Sequence, residues 1–195
     1  MRYPAEHKVR VRRKIVRAAS RRFRGHGGEG VGIAELMREL KLTHGGFYRH
    51  FEDKEALFAE ALDESGVMAR TKIAAAMAAA APGRELEAFI TAYLSRAHCA
   101  NPADGCPMAA LTTEIARHPR ATRAAFDRNL RAGLDTFARY LPGRTTAERE
   151  RRALVLFAGL VGALNLARAT ADDDLRRSIL EDARAFYIRA FCEGT

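Results

Sequence analysis

Apolar residues recur at helical spacing along almost the whole chain, and no stretch alternates polar and apolar as a half-buried strand would. Val11, Ile15, Ala18, Ala19 and Phe23 fall on one face of a first helix. The same periodicity returns up to the last helix, with Leu175, Ile179, Ala183, Phe186, Tyr187 and Phe191. It predicts an all-α fold of about nine helices. Of 195 residues, 48% are hydrophobic and 29% charged, with no Trp and 6 Pro, which is a globular mix that favours helix.

Local signals place the helix ends. Gly25-His26-Gly27-Gly28-Glu29-Gly30 stops the first helix. It does not read as a phosphate loop, because no Gly-Lys-Ser/Thr follows and no strand precedes it. Ile33, Leu36, Met37 and Leu40 make a short apolar face, and Lys41-Leu42 a tight turn. Thr43 is a good N-cap for a second short helix over 44–50. Phe47 and Phe51 should point inward from it, leaving Thr43, His44, Gly45, Tyr48 and Arg49 outward. Asp53 should cap a long helix from Lys54. After Pro82-Gly83 one helix is expected to carry Leu86 through Ala97. A short helix with Met108, Leu111 and Ile115 follows, then a longer one with Pro119 in its first turn. Thr145 and Glu148 form a capping box for a helix expected to bury Leu154, Phe157, Leu160, Val161 and Leu164. Asp172-Asp173-Asp174 opens the last helix.

The charge is uneven. The first 54 residues hold 14 Lys and Arg against 6 Asp and Glu, while the other 141 hold 19 against 18. A basic head on a near-neutral body points to a polyanion, and to nucleic acid before a membrane surface. Two short helices around a tight turn, over about 32–51, have helix-turn-helix dimensions. In that motif the second helix enters the major groove with its N-terminal residues, here Thr43, His44, Gly45 and Gly46.

The segment IAELMRELKLTHGGFYRHFEDKEALFAEAL resembles the DNA-binding region of the TetR family of bacterial transcriptional regulators. Its hallmark is the aromatic-rich run Phe47-Tyr48-Arg49-His50-Phe51 followed by Glu52-Asp53-Lys54 and Leu57. The resemblance implies a DNA-binding domain over 8–69 and a ligand-binding and dimerisation domain over 70–195. It also implies a homodimer on a palindromic double-stranded operator, most often as a repressor released by an effector. Carried across by position, Thr43 would cap the recognition helix and touch phosphate, and His44 and Gly45 would face bases. Tyr48 would reach a phosphate with His50 close by, and Lys54 would pair with another. Gly32 stands where the family often has Thr. Lys41 stands where its turn usually has Gly, so either Lys41 accepts a positive φ or the turn differs.

In the body, the two last helices are the most apolar and are expected to pair across a two-fold axis, with Gly159, Gly162 and Ala163 allowing close approach. Phe89, Tyr93, Met108, Leu111, Phe126, Phe157 and Asn165 are candidate walls of a mainly apolar effector pocket. Cys106, at the start of a helix, would see free N–H groups that could lower its thiol pKa. The string Gly105-Cys106-Pro107-Met108-Ala109-Ala110-Leu111 resembles a feature of a TetR subgroup that includes thiol-based sensors of electrophiles and oxidants, but an inert buried cysteine is the favoured reading of Cys106. A Cys99–Cys106 disulfide is conceivable if the Cα atoms come within ~7 Å. His98, Cys99 and Cys106 lack a recognised metal spacing, so no metal or cofactor is expected. No nucleotide loop or nucleophile–base spacing suggests an enzyme. The longest uncharged stretch in a helical region, Ala153 to Ala167, is short for a bilayer, and no secretory leader opens the sequence. The three cysteines read as free thiols. A cytoplasmic protein without membrane association is therefore expected.

Overall fold

The computed structural model describes residues 5–193. These form ten α-helices: α1 (Ala5–His26), α2 (Ile33–Glu39), α3 (His44–Phe47), α4 (Lys54–Ala78), α5 (Glu85–Tyr93), α6 (Arg96–Ala100), α7 (Pro107–Ile115), α8 (Arg120–Ala138), α9 (Thr146–Ala169) and α10 (Asp173–Cys192). A short 3-10 turn, Pro102–Asp104, links α6 to α7, and no strand occurs among the described residues.

The tenth helix comes from a break that periodicity did not reveal. The apolar face from Leu86 to Ala97 is not one helix, because the chain leaves helical geometry at Leu94. Ser95 then starts α6 by accepting from the His98 amide at 3.1 Å. Elsewhere the side-chain caps fall where expected. Asp53 accepts from the Ala56 amide, Thr145 from Glu148 and Asp172 from Asp174 and Leu175. Two details differ. Glu148 accepts from the Arg144 amide, one residue before the position a capping box uses. Pro119 is the residue before α8, not its first turn.

α1 packs along α4, α4 along α8, α8 along α9 and α9 along α10, while α7 touches α1, α4, α8 and α9. One continuous apolar core runs through them, from Ile15, Phe23, Phe47 and Leu57 to Phe137, Leu160 and Leu180. A domain boundary at 69/70 therefore falls inside α4, which serves both halves.

α9, with 24 residues, is long and apolar enough to cross a membrane by length and composition, a point that the uncharged stretch alone understates. Its inner face packs Leu156, Leu160 and Leu164 into the core, with no exposed surface. Its outer face leaves Leu154 half exposed, contrary to the expected burial. Val155 and Leu166 on α9 are 63% and 64% exposed, and Leu175 and Phe186 on α10 are 53% and 56%. Each of these pairs lies eleven residues apart, so each shares one helix face. Gly159 faces inward instead: a Cβ there would sit 2.0 Å from the Tyr187 hydroxyl, so this glycine lets α9 and α10 of one chain approach. Gly162 has open space around it.

Candidate nucleic-acid interface and effector cavity

The α2–α3 turn is closed by its own backbone. The Leu42 amide donates to the Met37 carbonyl at 2.8 Å and the Lys41 amide to Arg38 at 3.0 Å, the two bonds of a Schellman ending. That motif needs a left-handed residue, and Lys41 supplies it with φ 59°. Thr43 then caps α3, its Oγ1 accepting from the Gly46 amide at 3.2 Å. The expected helix over 44–50 is shorter: α3 is one turn, His44–Phe47, and residues 48–50 continue as turns.

Phe47 and Phe51 anchor this segment. Both are buried and their rings stack with centroids 5.4 Å apart. The Arg12 guanidinium lies over Phe51 at 4.2 Å and is itself paired with Glu60. What remains outside is Thr43, His44, Gly45, Tyr48 and Arg49, with Tyr48 62% exposed. Tyr48 stands edge-on to both Phe47 and His44, which fixes where its hydroxyl projects. A Cβ on Gly45 would meet nothing within 4 Å, so backbone alone faces outward there.

Two expected contact residues sit differently. Gly46 is half-buried, its amide is taken by Thr43, and a Cβ would press on Thr43 Oγ1 at 3.2 Å. His50 is half-buried beside Phe51, and its Nδ1 is buried without a partner among the described residues. Burial, followed by the charges of Lys8, Arg12 and Arg49, lowers its pKa. Lys54 is half-buried at the first position of α4, and Gly32 starts α2 with no side-chain cap.

In the body, a cavity of about 260 Å³ lies between α4, α5 and the α6–α7 connection. It brings together three of the expected residues, Phe89, Tyr93 and Cys106, with Lys72, Ile73 and His98. Met108, Leu111 and Phe157 are core residues outside its lining. Phe126 and Asn165, on α8 and α9, are half-buried and also outside it. His98 is the member that sequence reasoning considered only as a metal ligand. Its Nδ1 lies 2.7 Å from the Tyr93 carbonyl and its Nε2 accepts the Cys106 amide at 3.0 Å. These partners assign a neutral ring with the proton on Nδ1. Burial lowers the pKa of His98, as do Arg168 and Lys72, against the Tyr93 carbonyl.

Cys106 is buried, and of its two readings the lowered thiol pKa is the one that fails. Amides of Met108 and Ala109 do face the thiol and favour the thiolate, as does the Tyr93 hydroxyl, but burial outweighs them and raises its pKa. Tyr93 is likewise raised well above the usual range by burial, with Cys106 as its polar neighbour. Cys99, Cys106 and Cys192 are all free thiols, so no Cys99–Cys106 disulfide forms.

A Thr-capped second helix after a Schellman turn, held by buried aromatics and flanked by basic residues, has the geometry of a helix-turn-helix motif. Residues 15–61 match the family "Bacterial regulatory proteins, tetR family". The chain is 32% identical over 116 residues to the HTH-type transcriptional regulator LmrA of Bacillus subtilis (strain 168), a match that covers 58% of this chain and 62% of that one. It is 41% identical over 56 residues to the A-factor receptor protein of Streptomyces griseus, covering 29% of this chain and 20% of that one. The chain thus spans less than two thirds of either relative. Its fold is similar to that of reduced E. coli NemR, with TM-score 0.76 and 19% identity over 94% of this chain and 98% of that one. Residues 15–61 thus carry a tetR-family DNA-binding region, on a chain whose fold as a whole is similar to solved structures of that kind.

Proposed function

We propose that this chain is a sequence-specific DNA-binding transcriptional regulator, a homodimeric repressor that leaves a palindromic operator when a small molecule occupies its body. The observation that carries this reading is the division of labour in residues 43–51. Phe47 and Phe51 are spent on the core, while Thr43, His44, Gly45 and Tyr48 project from the same short segment with no structural task beyond the Thr43 cap. His44 and Gly45 would face base edges, Thr43, Tyr48 and Lys54 would hold phosphates, and His50 would support them from beneath. Residues 8–69 would serve DNA and residues 70–195 the effector and the partner subunit.

The cavity at Phe89, Tyr93 and Cys106 is the site the effector would take. A protonated, buried Cys106 favours a non-covalent ligand over an electrophile or oxidant. α4 and the Pro102–Asp104 turn both line or border this cavity and touch α1, so they would carry the ligand's differential affinity to the head.

Footprinting of the purified protein on DNA flanking its own gene tests the reading. A protected palindrome with half-sites about 34–36 Å apart is expected. A folded protein that protects nothing, or whose Tyr48→Ala variant protects as well as wild type, would overturn it.

A further inference from the structure

Four cations of α1 are taken up by ion pairs within the chain. Arg12, Arg17, Arg21 and Arg22 pair with Glu60, Glu64, Asp104 and the Glu35/Glu39 pair. Lys8 has no ion pair among the described residues, and neither do Lys41 of the α2–α3 turn and Arg49 after α3. These three line one groove of about 610 Å³ between α1 and the turn, beside Thr43 and His50. No carboxylate among the described residues lines it. Like charges left unpaired around one concavity raise its potential and favour an anion there. His50 registers that field, since the neighbouring cations add to burial in disfavouring its charged form.

Lys41 is also the one non-glycine residue with positive φ among the described residues. Glycine takes that conformation without strain, so the turn itself gains nothing from a lysine. We propose that this groove receives a backbone phosphate of the bound duplex, with Lys41, Lys8 and Arg49 as its cations, which makes Lys41 a DNA-binding residue. The proposal rests on the helix-turn-helix reading above and assigns a contact beyond α3. Lys8 and Lys41 are flexible point charges, which suit a phosphate better than the directional edge of a base.

The test is fluorescence anisotropy with a labelled duplex of arbitrary sequence, about 30 bp long, over about 50 to 200 mM salt. Wild type is compared with Lys41→Gln, Lys41→Gly and, as a distant control of equal charge change, the exposed Arg131→Gln. Each Lys41 variant should flatten the log–log salt slope by about 0.9, so wild type loses about three- to fourfold more affinity across that range. Lys41→Gly should in addition melt about 2–4 °C higher, since only that variant relieves the backbone. Arg131→Gln should keep the wild-type slope. Lys41 variants with the wild-type slope, or an Arg131→Gln slope equally flattened, would overturn the proposal. Wild type that binds no duplex even at low salt would instead overturn the helix-turn-helix reading itself.

Discussion

Both carboxylate oxygens of Glu114, on α7, accept from the backbone amide of Gly28, 86 residues earlier, at 2.7 and 2.9 Å. This bond fixes the α1–α2 loop of the head to the body. His118 extends it, stacking on Phe58 at 4.4 Å and reaching Glu55 at 2.9 Å and Glu114 at 3.4 Å. A concavity of about 750 Å³ opens at the same joint. A Cβ on Gly28 would lie 2.3 Å from Glu114 Oε1 and 3.1 Å from the Phe58 ring. Gly28→Ala should therefore cost about 1–3 kcal/mol, as overpacking does. Urea unfolding of the two proteins side by side measures it, and an unchanged midpoint would mean that the joint yields freely.

Acid should weaken the body through His98. Its neutral ring makes both of its hydrogen bonds, and a proton on Nε2 would displace the Cys106 amide. Its folded pKa lies below the ordinary histidine value of 6.5, with burial the main cause. The unfolded chain then binds more protons, so stability falls as pH drops through the unfolded value and goes on falling down to the folded one. His50 acts in the same direction. Melting temperature should fall between about pH 7.5 and pH 5.5, and His98→Phe should show a smaller acid-side loss than wild type. Equal losses in the two proteins would remove His98 from the account.

What the sequence made legible was local. Thr43, Asp53, Thr145 and Asp172 cap helices through bonds to amides two or three residues ahead, so their roles follow from residue type and position. The helix-turn-helix could be read for the same reason, and Lys41 takes the positive φ that its turn demands. The break at Leu94 was hidden because α5 and α6 both bury apolar residues, and their periodicity continues across Ser95. The sequence left Cys106 between an inert and a reactive thiol because its neighbours are distant in sequence. Tyr93 and Arg168 lie on α5 and α9, and the burial that decides its thiol comes from packing. Met108, Leu111 and Phe157 have the chemistry of a cavity wall and of a core alike, and only tertiary contacts separate the two.

The thiols should be slow nucleophiles. Burial pushes Cys192 up to about 11, and Cys106 is raised and buried as well. Against an ordinary thiol near 8.5, a pKa of about 11 lowers the thiolate fraction at neutral pH at least ~100-fold. Iodoacetamide at about pH 7.5 should therefore label Cys106 and Cys192 far more slowly in native protein than in urea. Peptide mass spectrometry reads both sites separately. Native Cys106 labelling as fast as in urea would restore the thiol-sensor reading.

The exposed apolar face of α9 and α10 makes the last prediction. Val155, Leu166, Leu175 and Phe186 face solvent in the single chain, on the two helices expected to pair across a two-fold axis. Burying a large apolar side chain is worth about 1.5–3 kcal/mol, and an isologous contact counts each residue twice. Val155→Asp and Phe186→Asp should thus shift a dimer towards monomer at micromolar concentration in sedimentation velocity. They should leave the helical signal of the chain intact, because neither side chain belongs to its core. Leu160→Asp, by contrast, places a charge at a position with no exposed surface and should unfold the chain outright. Loss of the paired state should also weaken operator binding, since one head alone reads a single half-site. Dimers that persist in both exposed-face variants would move the subunit contact elsewhere and leave this face unexplained.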